Sequence, residues 1–273
     1  EPHRGLHEEV LHLKIDGKPK RNLGITKTLL SRARKRDILQ VQSFNSRLKS
    51  SISGNSNYTV TRIKEIYDIE ARLLWPSIHL EDFSAQENDC KFNQLEGPYV
   101  VNIGKSSWVK GTWETISMLR NTNISLAHVG GGNLEDINRL KEHAESCKVE
   151  VWFAPRLTQN ELTILLRNAR ASISLAHGEP FGLTPIEAFA VGTPAIYVKE
   201  GGFTDTIIDK ENGRLIARED IENWHLALKD AENIDNRIRW SKAGIERIKS
   251  LDLSCEKHAE RIYNIYKEFN NKN

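Results

Sequence analysis

Residues 177–216 read HGEPFGLTPIEAFAVGTPAIYVKEGGFTDTIIDKENGRLI, and this stretch decides the fold and the chemistry of the chain. It places two glutamates, Glu179 and Glu187, on either side of a Phe-Gly turn and a Thr-Pro pair. Thr184 is a residue type that caps helices, and Pro185 fits a first helical turn. The pattern therefore predicts a loop that runs into a helix N-terminus, with Glu187 inside the first turn.

A helix start of this kind is suited to binding an anion. Its first backbone N–H groups have no partner within the helix, and the helix dipole favours negative charge there. The flanking carboxylates can accept hydrogen bonds from hydroxyl groups. A sugar attached to a nucleotide diphosphate offers both kinds of group. The alternative is an ordinary strand–loop–helix unit with solvated glutamates, because exposed carboxylates are common.

Outward from this stretch, short β-branched runs alternate with amphipathic runs from about residue 97 onward. This alternation predicts an α/β fold with a Rossmann-like, doubly wound parallel sheet covered on both faces. Ligands bind at the carboxyl ends of the strands in such sheets. The predicted strands are Tyr99–Gly104, Ile124–Val129, Val149–Phe153, Ala171–Leu175, Ala195–Val198 and Arg214–Ile216, and the predicted helices lie near 112–120, 134–146, 159–169 and 185–191.

A second candidate site follows the first predicted strand, in the sequence GKSSWVKG of residues 104–111. Gly104 at the strand end lets a ligand approach the backbone. Lys105 and Lys110 are spaced to reach the two phosphates of a diphosphate and to neutralise departing charge. Two solvated surface lysines are the simpler interpretation of the same residues.

Two glycine-rich turns follow other predicted strands. A dinucleotide-binding GxGxxG pattern beginning at Gly130 would need glycine at position 135, which is Glu135, so a nicotinamide or flavin site is disfavoured. A turn that lets a ligand pass and a simple tight turn both remain open there. In Gly201–Asp205 the terminal carboxylate could accept a hydroxyl, and a plain turn with a helix start is the alternative.

The chain termini show weaker patterns. Leu29–Leu39 and Ile63–Ile69 are predicted helices, Ala71–Trp75 a short strand, and Ser50–Asn57 a turn. These elements are too few to build a second sheet domain, so we expect a remnant that packs on another domain. The tail is predicted to be helical, with faces that serve packing: Ile221, Trp224 and Leu228 on one face, and Ala259, Ile262, Tyr263, Tyr266 and Phe269 on another.

Composition excludes several classes of protein. The net charge of +2 does not indicate a nucleic-acid partner. Cys90, Cys147 and Cys255 form no CxxC pair, which argues against a disulfide framework or zinc site and favours a reducing, cytoplasmic setting. No run of 18 apolar residues exists, so a membrane span is not predicted. A basic stretch between Lys14 and Arg36 is compatible with anionic lipid or a phosphate-linked acceptor, although a solvated helix face explains it more simply.

The motifs together resemble the retaining glycosyltransferases of the two-domain GT-B fold, in the group 1 family that includes α-mannosyl and α-glucosyl transferases. That family carries a Glu-x7-Glu motif, which Glu179 and Glu187 match with FGLTPIEA between and around them. Its GR-x4-KG element is present as residues 104–111 with Lys105 in place of arginine, which keeps the charge and loses the bidentate fork. Its GGxxE element is present as residues 201–205, with aspartate for glutamate.

The resemblance implies a role for each matching residue. Glu187 would bind the ribose hydroxyls of the nucleotide. Glu179 would contact the donor sugar and stabilise the oxocarbenium-like transition state. Lys105 and Lys110 would take the departing diphosphate. Because these cations replace a metal ion, no metal or other cofactor is implied.

Further donor contacts follow from the same resemblance. The amides of Phe181, Gly182 and Leu183 would hold sugar hydroxyls and phosphate, with help from Thr184. The backbone near Arg156 would meet the base.

The resemblance also implies the organisation of the chain. Residues 1–95 would be a remnant of the acceptor-binding domain and the crossover linker, 96–250 the donor-binding domain, and 251–273 a helix packing back toward the N-terminal region. The first half of the acceptor domain would lie before residue 1, so the isolated chain would lack part of the acceptor site.

The expected function is transfer of a hexosyl group from a UDP- or GDP-sugar to a glycan or lipid-linked acceptor, with retention of configuration. The location would be the cytoplasm, or peripherally the cytoplasmic face of a membrane. The alternatives are a non-catalytic sugar-nucleotide-binding subunit and a split enzyme whose acceptor half is on another chain.

Overall fold

The computed structural model describes residues 1–21, 23–47, 52–79, 83 and 95–270. The N-terminal part is mostly helical and contains one small two-stranded parallel sheet. Its elements are α1 (Arg4–His7), a 3₁₀ turn (Glu9–His12), α2 (Leu23–Arg47), β1 (Ser53–Gly54), α3 (Asn57–Tyr67) and β2 (Arg72–Leu73).

The rest of the described chain forms a six-stranded parallel sheet with helices between the strands. The strands are β3 (Tyr99–Ile103), β4 (Ser125–Val129), β5 (Val151–Ala154), β6 (Ala171–Ser174), β7 (Ala195–Val198) and β8 (Gly213–Ile216). The helices are α4 (Thr112–Met118), α5 (Leu134–Cys147), α6 (Gln159–Asn168), α7 (Leu183–Ala190), α8 (Phe203–Thr206), α9 (Ile221–Asp230), α10 (Ile234–Leu251) and α11 (Cys255–Asn270).

The strand order is β5-β4-β3-β6-β7-β8, so the winding direction reverses between β3 and β6. Such a reversal opens a crevice at the carboxyl ends of the two central strands, where doubly wound sheets bind ligands. Strands buried on both faces need apolar residues on both sides, and the β-branched composition of β3 and β7 meets that need. The predicted Rossmann-like sheet is confirmed.

Each of the six predicted strands and four predicted helices of this domain is present, and no end is shifted by more than two residues. The start of α7 is the instructive difference. The helix begins at Leu183, with Gly182 as its N-cap residue at φ 81°, and no side chain caps it. The prediction that Thr184 caps the helix is therefore wrong, and Glu187 lies in the second turn. The left-handed conformation of Gly182 allows the chain to enter the helix earlier than the Thr-Pro pair suggested.

The N-terminal segment packs on the large sheet domain. Ile15 is buried within its apolar core. Gly17 lies against the ring of Trp108, at a distance that leaves no room for a Cβ atom. The predicted turn at Ser50–Asn57 is wrong at Ser53–Gly54, because these residues form strand β1 and pair with β2. Residues 50 and 51 lie outside the described residues.

The C-terminal helices form as predicted, but their packing differs from the prediction. Trp224 and Leu228 of α9 are buried, whereas Ile221 is exposed. On α11, Ile262 is 48% exposed and Tyr266 is 59% exposed, so that face does not pack against the described part of the chain. The side chain of Phe269 lies outside the described residues.

Helix α11 nevertheless contacts the N-terminal part through several side chains, among them Arg72 and His258. Arg72 Nη1 donates to Glu268 Oε2 at 2.7 Å, and the His258 ring lies 2.7 Å from the Trp75 carbonyl oxygen. Of the cysteines, Cys147 and Cys255 are free thiols and Cys90 lies outside the described residues. None of the described helices combines the length and the apolar character needed to cross a bilayer.

Candidate functional site

The centre of the site is an ion pair at the carboxyl edge of the sheet. Lys110 Nζ donates to Glu179 Oε2 at 2.6 Å. Lys110 ends a 3₁₀ turn (Trp108–Lys110) that follows β3, and Glu179 lies in the loop that follows β6. Because β3 and β6 are neighbours at the reversal point, the fold brings together two residues that lie far apart in the sequence. Both side chains are partly exposed, so they remain accessible to a ligand.

A glycine fixes the backbone beside Lys110. Gly111 has φ 68°, and a Cβ atom there would lie 2.1 Å from the carbonyl oxygen of Leu175. A side chain at this position would therefore be strained and would clash with backbone that cannot move aside. The close approach sets the 3₁₀ turn directly against the end of β6, which places the lysine over the Glu179 loop.

Two further glycines hold the Glu179 loop from the other side. Gly202 N donates to the Glu179 carbonyl at 2.7 Å. A Cβ atom at Gly201 would lie 2.5 Å from that same carbonyl oxygen, and one at Gly202 would lie 2.5 Å from Phe181 Cα. The glycine pair therefore lets residues 201–202 pack backbone to backbone against residues 179–181. Its function in the described structure is to position the Glu179 loop.

A cavity of about 260 Å³ opens at this ion pair. Gly182 is the N-cap residue of α7 and Leu183 is its first residue. No described backbone carbonyl accepts a hydrogen bond from the amide of either residue. Polar or charged groups and free amides therefore meet in one concave site. The cavity is lined by Glu1, Asn55, Ile103, Lys110, Ser174, Ala176, Glu179, Pro180, Phe181, Gly182, Leu183, Thr184 and Phe203.

Glu187 lies one turn further along α7 and is half-buried. Burial raises the pKa of its carboxyl group above the ordinary glutamate value. None of the described residues donates a hydrogen bond or ion pair to it. The carboxylate therefore has hydrogen-bond capacity that the described residues leave unused.

The other predicted donor residues are placed around this centre but outside the cavity. Gly104 and Lys105 follow β3, and Lys105 is exposed. Arg156 follows β5, which is separated from β6 by the two strands β4 and β3, and is also exposed. The structure therefore groups Glu179, Lys110 and residues 181–184 closely, with Lys105 and Arg156 at greater distance along the same edge.

The carboxylate of Asp205 is used differently from the sequence-based interpretation. It accepts hydrogen bonds from the backbone N–H of Asn57 at 2.8 Å and from Asn57 Nδ2 at 2.9 Å. These contacts join the start of α8 to the start of α3. In the described structure Asp205 therefore fastens the N-terminal part to the sheet domain and is already occupied by protein donors.

The N-terminal part also meets the Glu179 loop directly. Arg4 Nη2 donates to the His177 carbonyl at 2.7 Å, and the Ser56 hydroxyl donates to the Pro180 carbonyl. The first of these contacts precedes Glu179 and the second follows it. Both ends of the loop are therefore held by the N-terminal part.

Sequence reasoning missed a partly buried charge network next to this loop. His177 Nε2 lies 2.7 Å from Glu114 Oε2, whose other oxygen accepts from Arg218 Nη1 at 3.0 Å. Arg218 also donates to the Leu175 carbonyl at 2.7 Å and to both carboxylate oxygens of Glu200. These carboxylates raise the pKa of Arg218 despite its burial. The only local signal was the place of His177 two residues before Glu179.

The sequence matches a known protein family over most of the sheet domain. The family description "Glycosyl transferases group 1" matches residues 86–247, more than half of the 273-residue chain. An alpha-1,3/1,6-mannosyltransferase from Neurospora crassa is 32% identical over 120 residues, which is 43% of this chain and 25% of that protein. A glycogen synthase from Mycobacterium tuberculosis is 30% identical over 137 residues, which is 48% of this chain and 33% of that protein. The matched region thus spans a quarter to a third of these relatives.

Solved structures show the same fold at low sequence identity. Sucrose-phosphate synthase from Thermosynechococcus elongatus superposes with a TM-score of 0.75 at 20% identity, covering 88% of this chain and 63% of that chain. HepE from Anabaena, solved in complex with UDP and glucose, superposes with a TM-score of 0.73 at 14% identity, covering 85% and 67%. The sheet therefore has the fold of a GT-B C-terminal domain, and a mostly helical N-terminal part precedes it. The chain belongs to the group 1 glycosyltransferase family.

Proposed function

We propose that this chain binds a UDP- or GDP-sugar and serves in the transfer of its hexosyl group, with retention, to a glycan or lipid-linked acceptor. The observation that carries the proposal is the Lys110–Glu179 ion pair, 2.6 Å long, at the edge of a cavity next to free amides of α7. A cation, a carboxylate and backbone donors converge where a sugar diphosphate needs all three. The UDP complexes of structural neighbours such as HepE agree with a nucleotide-sugar donor.

The chemistry follows from the charge that develops in transfer. When the bond between the anomeric carbon and the diphosphate breaks, the sugar gains positive charge and the diphosphate negative charge. Glu179 faces the sugar and stabilises the first, while Lys110 turns from Glu179 to the diphosphate and stabilises the second. The amides of Gly182 and Leu183 hold the phosphate, and Glu187 accepts from the ribose hydroxyls. Lys105 joins the diphosphate from the loop after β3.

Isothermal titration calorimetry of the whole chain with UDP, GDP, UDP-glucose and GDP-mannose tests this proposal. We expect one nucleotide to bind, and its binding to be weakened in Glu187→Ala. Tyr99→Phe is a matched control, because it removes a buried hydrogen bond to Leu165 at the opposite end of β3. Absence of binding to all four compounds, or equal binding by Glu187→Ala, would contradict the proposal.

The second candidate is a donor-binding module whose acceptor half is supplied by another polypeptide. The exposed apolar side chains of two helices favour it: Ile25 and Leu29 on α2, and Ile262, Tyr263 and Tyr266 on α11. A covering polypeptide would remove these surfaces from water. Release of nucleoside diphosphate from the bound sugar nucleotide by the chain alone, with mannose or glucose oligosaccharides present, separates the two. Turnover supports the complete enzyme, and binding without turnover supports the module.

Peripheral contact with an anionic membrane at its cytoplasmic face is a further part of the proposal. On α2, exposed Ile25 and Leu29 are followed by exposed Arg32, Lys35 and Arg36, and such a combination of apolar and basic side chains suits a lipid surface. Sedimentation with phosphatidylglycerol vesicles tests this. We expect binding that is lost with phosphatidylcholine vesicles and in the charge-reversed variant Arg32→Glu/Arg36→Glu. Binding to both lipids alike would contradict it.

A further inference from the structure

Three polar side chains at the carboxyl ends of β3 and β4 form a continuous buried hydrogen-bond chain. His128 Nε2 lies 2.9 Å from Ser106 Oγ, and His128 Nδ1 lies 3.0 Å from Asn102 Oδ1. Asn102 Nδ2 donates to the Ile173 carbonyl of β6 at 3.0 Å. The three side chains belong to residues no more than 2% exposed. The chain therefore crosses three adjacent strands beneath the loop that follows β3.

The direction of every hydrogen bond in this chain is fixed by its last member. The Ile173 carbonyl can only accept, so Asn102 turns its NH₂ group toward β6 and its oxygen toward His128. His128 must then carry its proton on Nδ1, which leaves Nε2 to accept from the Ser106 hydroxyl. Each of the three hydrogen bonds then has one donor and one acceptor, and the imidazole is neutral.

The surroundings keep the imidazole in that form. Its other described neighbour is the ring of Phe153, edge-on at 5.7 Å between centroids, and no charged side chain of the described residues bonds to it. Burial lowers the pKa of His128 to about 4. The neutral tautomer, and with it the hydrogen-bond chain, is therefore retained throughout the neutral pH range.

Ser106 links this buried chain to the loop of residues 104–107. Its backbone N–H donates to the Gly131 carbonyl at 2.9 Å, and Gly132 lies so near that a Cβ atom there would be 2.6 Å from Ser106 Cβ. The neighbouring Lys105 is exposed, and its ammonium makes no ion pair with the described residues. The loop thus has a fixed backbone and a free cation at its tip.

We propose that His128 is a positioning residue that acts through Ser106 to fix the loop of residues 104–107, so that Lys105 meets the diphosphate of the donor. The inference rests on the proposed donor-binding function of this loop. Stability alone does not require these polar residues, because a buried hydrogen bond contributes little net stability and an unpaired buried polar group lowers the stability considerably. The proposed positioning role explains why they are present.

The test compares Ser106→Ala, Lys105→Ala and the double variant in the full chain, with Tyr99→Phe as the control for loss of a buried hydrogen bond. Calorimetry with the nucleotide that the wild type binds gives the affinities. We expect Ser106→Ala to weaken binding roughly three- to tenfold, the effect of one hydrogen bond, with Tyr99→Phe near wild type. In the Lys105→Ala background, Ser106→Ala should have no further effect, because its influence passes through the lysine.

Two readouts separate this role from general stability. Hydrogen exchange at the amides of residues 104–107 should rise in Ser106→Ala and stay unchanged in Tyr99→Phe. ¹⁵N spectra at neutral pH should show a protonated Nδ1 and an unprotonated Nε2 for His128. The opposite tautomer, unchanged affinity in Ser106→Ala, or additive effects in the double variant would overturn the inference while leaving the proposed function intact. A wild-type chain that binds neither UDP nor GDP would refute the proposed function, and this inference with it.

Discussion

Replacing Glu187 by glutamine should stabilise the protein and weaken nucleotide binding at the same time. The carboxylate is half-buried and has no hydrogen-bond donor among the described residues, and burial raises its pKa. The folded state therefore binds a proton at this site more tightly than the unfolded state does. The charged form opposes folding at pH values above the folded-state pKa, and this cost disappears as the pH falls through that pKa.

The magnitude follows from the burial. An unpaired buried polar group costs about 1–3 kcal/mol, and partial exposure places Glu187 near the lower end, at about 1 kcal/mol. For a domain of this size about 1 kcal/mol corresponds to a rise in Tm of about 2–4 °C. A charged acceptor contributes about 1 kcal/mol more per hydrogen bond than a neutral one, so Glu187→Gln should bind the nucleotide roughly fivefold more weakly.

Differential scanning calorimetry across pH, paired with titration of the nucleotide, measures both effects. The gain in Tm for Glu187→Gln should be largest at about pH 8, where carboxyl groups are ionised. It should shrink as the pH approaches 4.5, the ordinary glutamate value. A Glu187→Gln variant that is less stable than the wild type, or whose stability difference does not change with pH, would refute the reasoning. In that case the carboxylate would already have a partner in the folded protein.

Two other substitutions test the site and its frame. Lys110→Met should weaken nucleoside diphosphate binding about tenfold or more and flatten its salt dependence. It should change the free energy of unfolding by less than about 1 kcal/mol, because the ion pair with Glu179 is partly exposed. A large loss of stability with unchanged affinity would contradict this. Gly111→Ala should lower the free energy of unfolding by more than about 3 kcal/mol, since it combines positive φ with a clash against Leu175. Gly97→Ala, at φ 83° with no described atom within 4 Å of the Cβ position, should cost only about 1–2 kcal/mol. Equal losses of the two variants in urea titrations would show that the clash in Gly111→Ala is relieved.

Local patterns predicted most of the sheet domain. The alternation of β-branched runs and amphipathic runs is a property of short segments, and the spacing of apolar residues within each segment indicates whether it forms a strand or a helix. The bounds of β7 were predicted to the residue, and those of its neighbours to within two. The pattern also placed Glu179 and residues 181–184 at a strand end, which is where the cavity lies.

The errors arose where distant parts of the chain meet. Helix α7 starts at Leu183 because Gly182 adopts φ 81° with the Phe203 ring packed where a Cβ atom would be, and no local rule predicts that contact. The carboxylate of Asp205 bonds to Asn57, which is 148 residues earlier. The apolar face of α11 was assigned to packing because amphipathicity shows which side is apolar and says nothing about what covers it.

The sequence by itself determined the family, the parallel α/β sheet and the choice of Glu179 and Glu187 as candidate site residues. Motif spacing and hydrophobic period are properties of consecutive residues, so they can be recognised without the tertiary structure. The tertiary structure alone decided which charges meet. Lys110 reaches Glu179 across 69 residues because β3 and β6 are neighbours. Arg218, which follows β8, reaches Glu114 of α4 across 104 residues. The tautomer of His128 likewise depends on a carbonyl in another strand. Coulombic and hydrogen-bond energies fall steeply with distance in space, so only the folded arrangement could assign these partners.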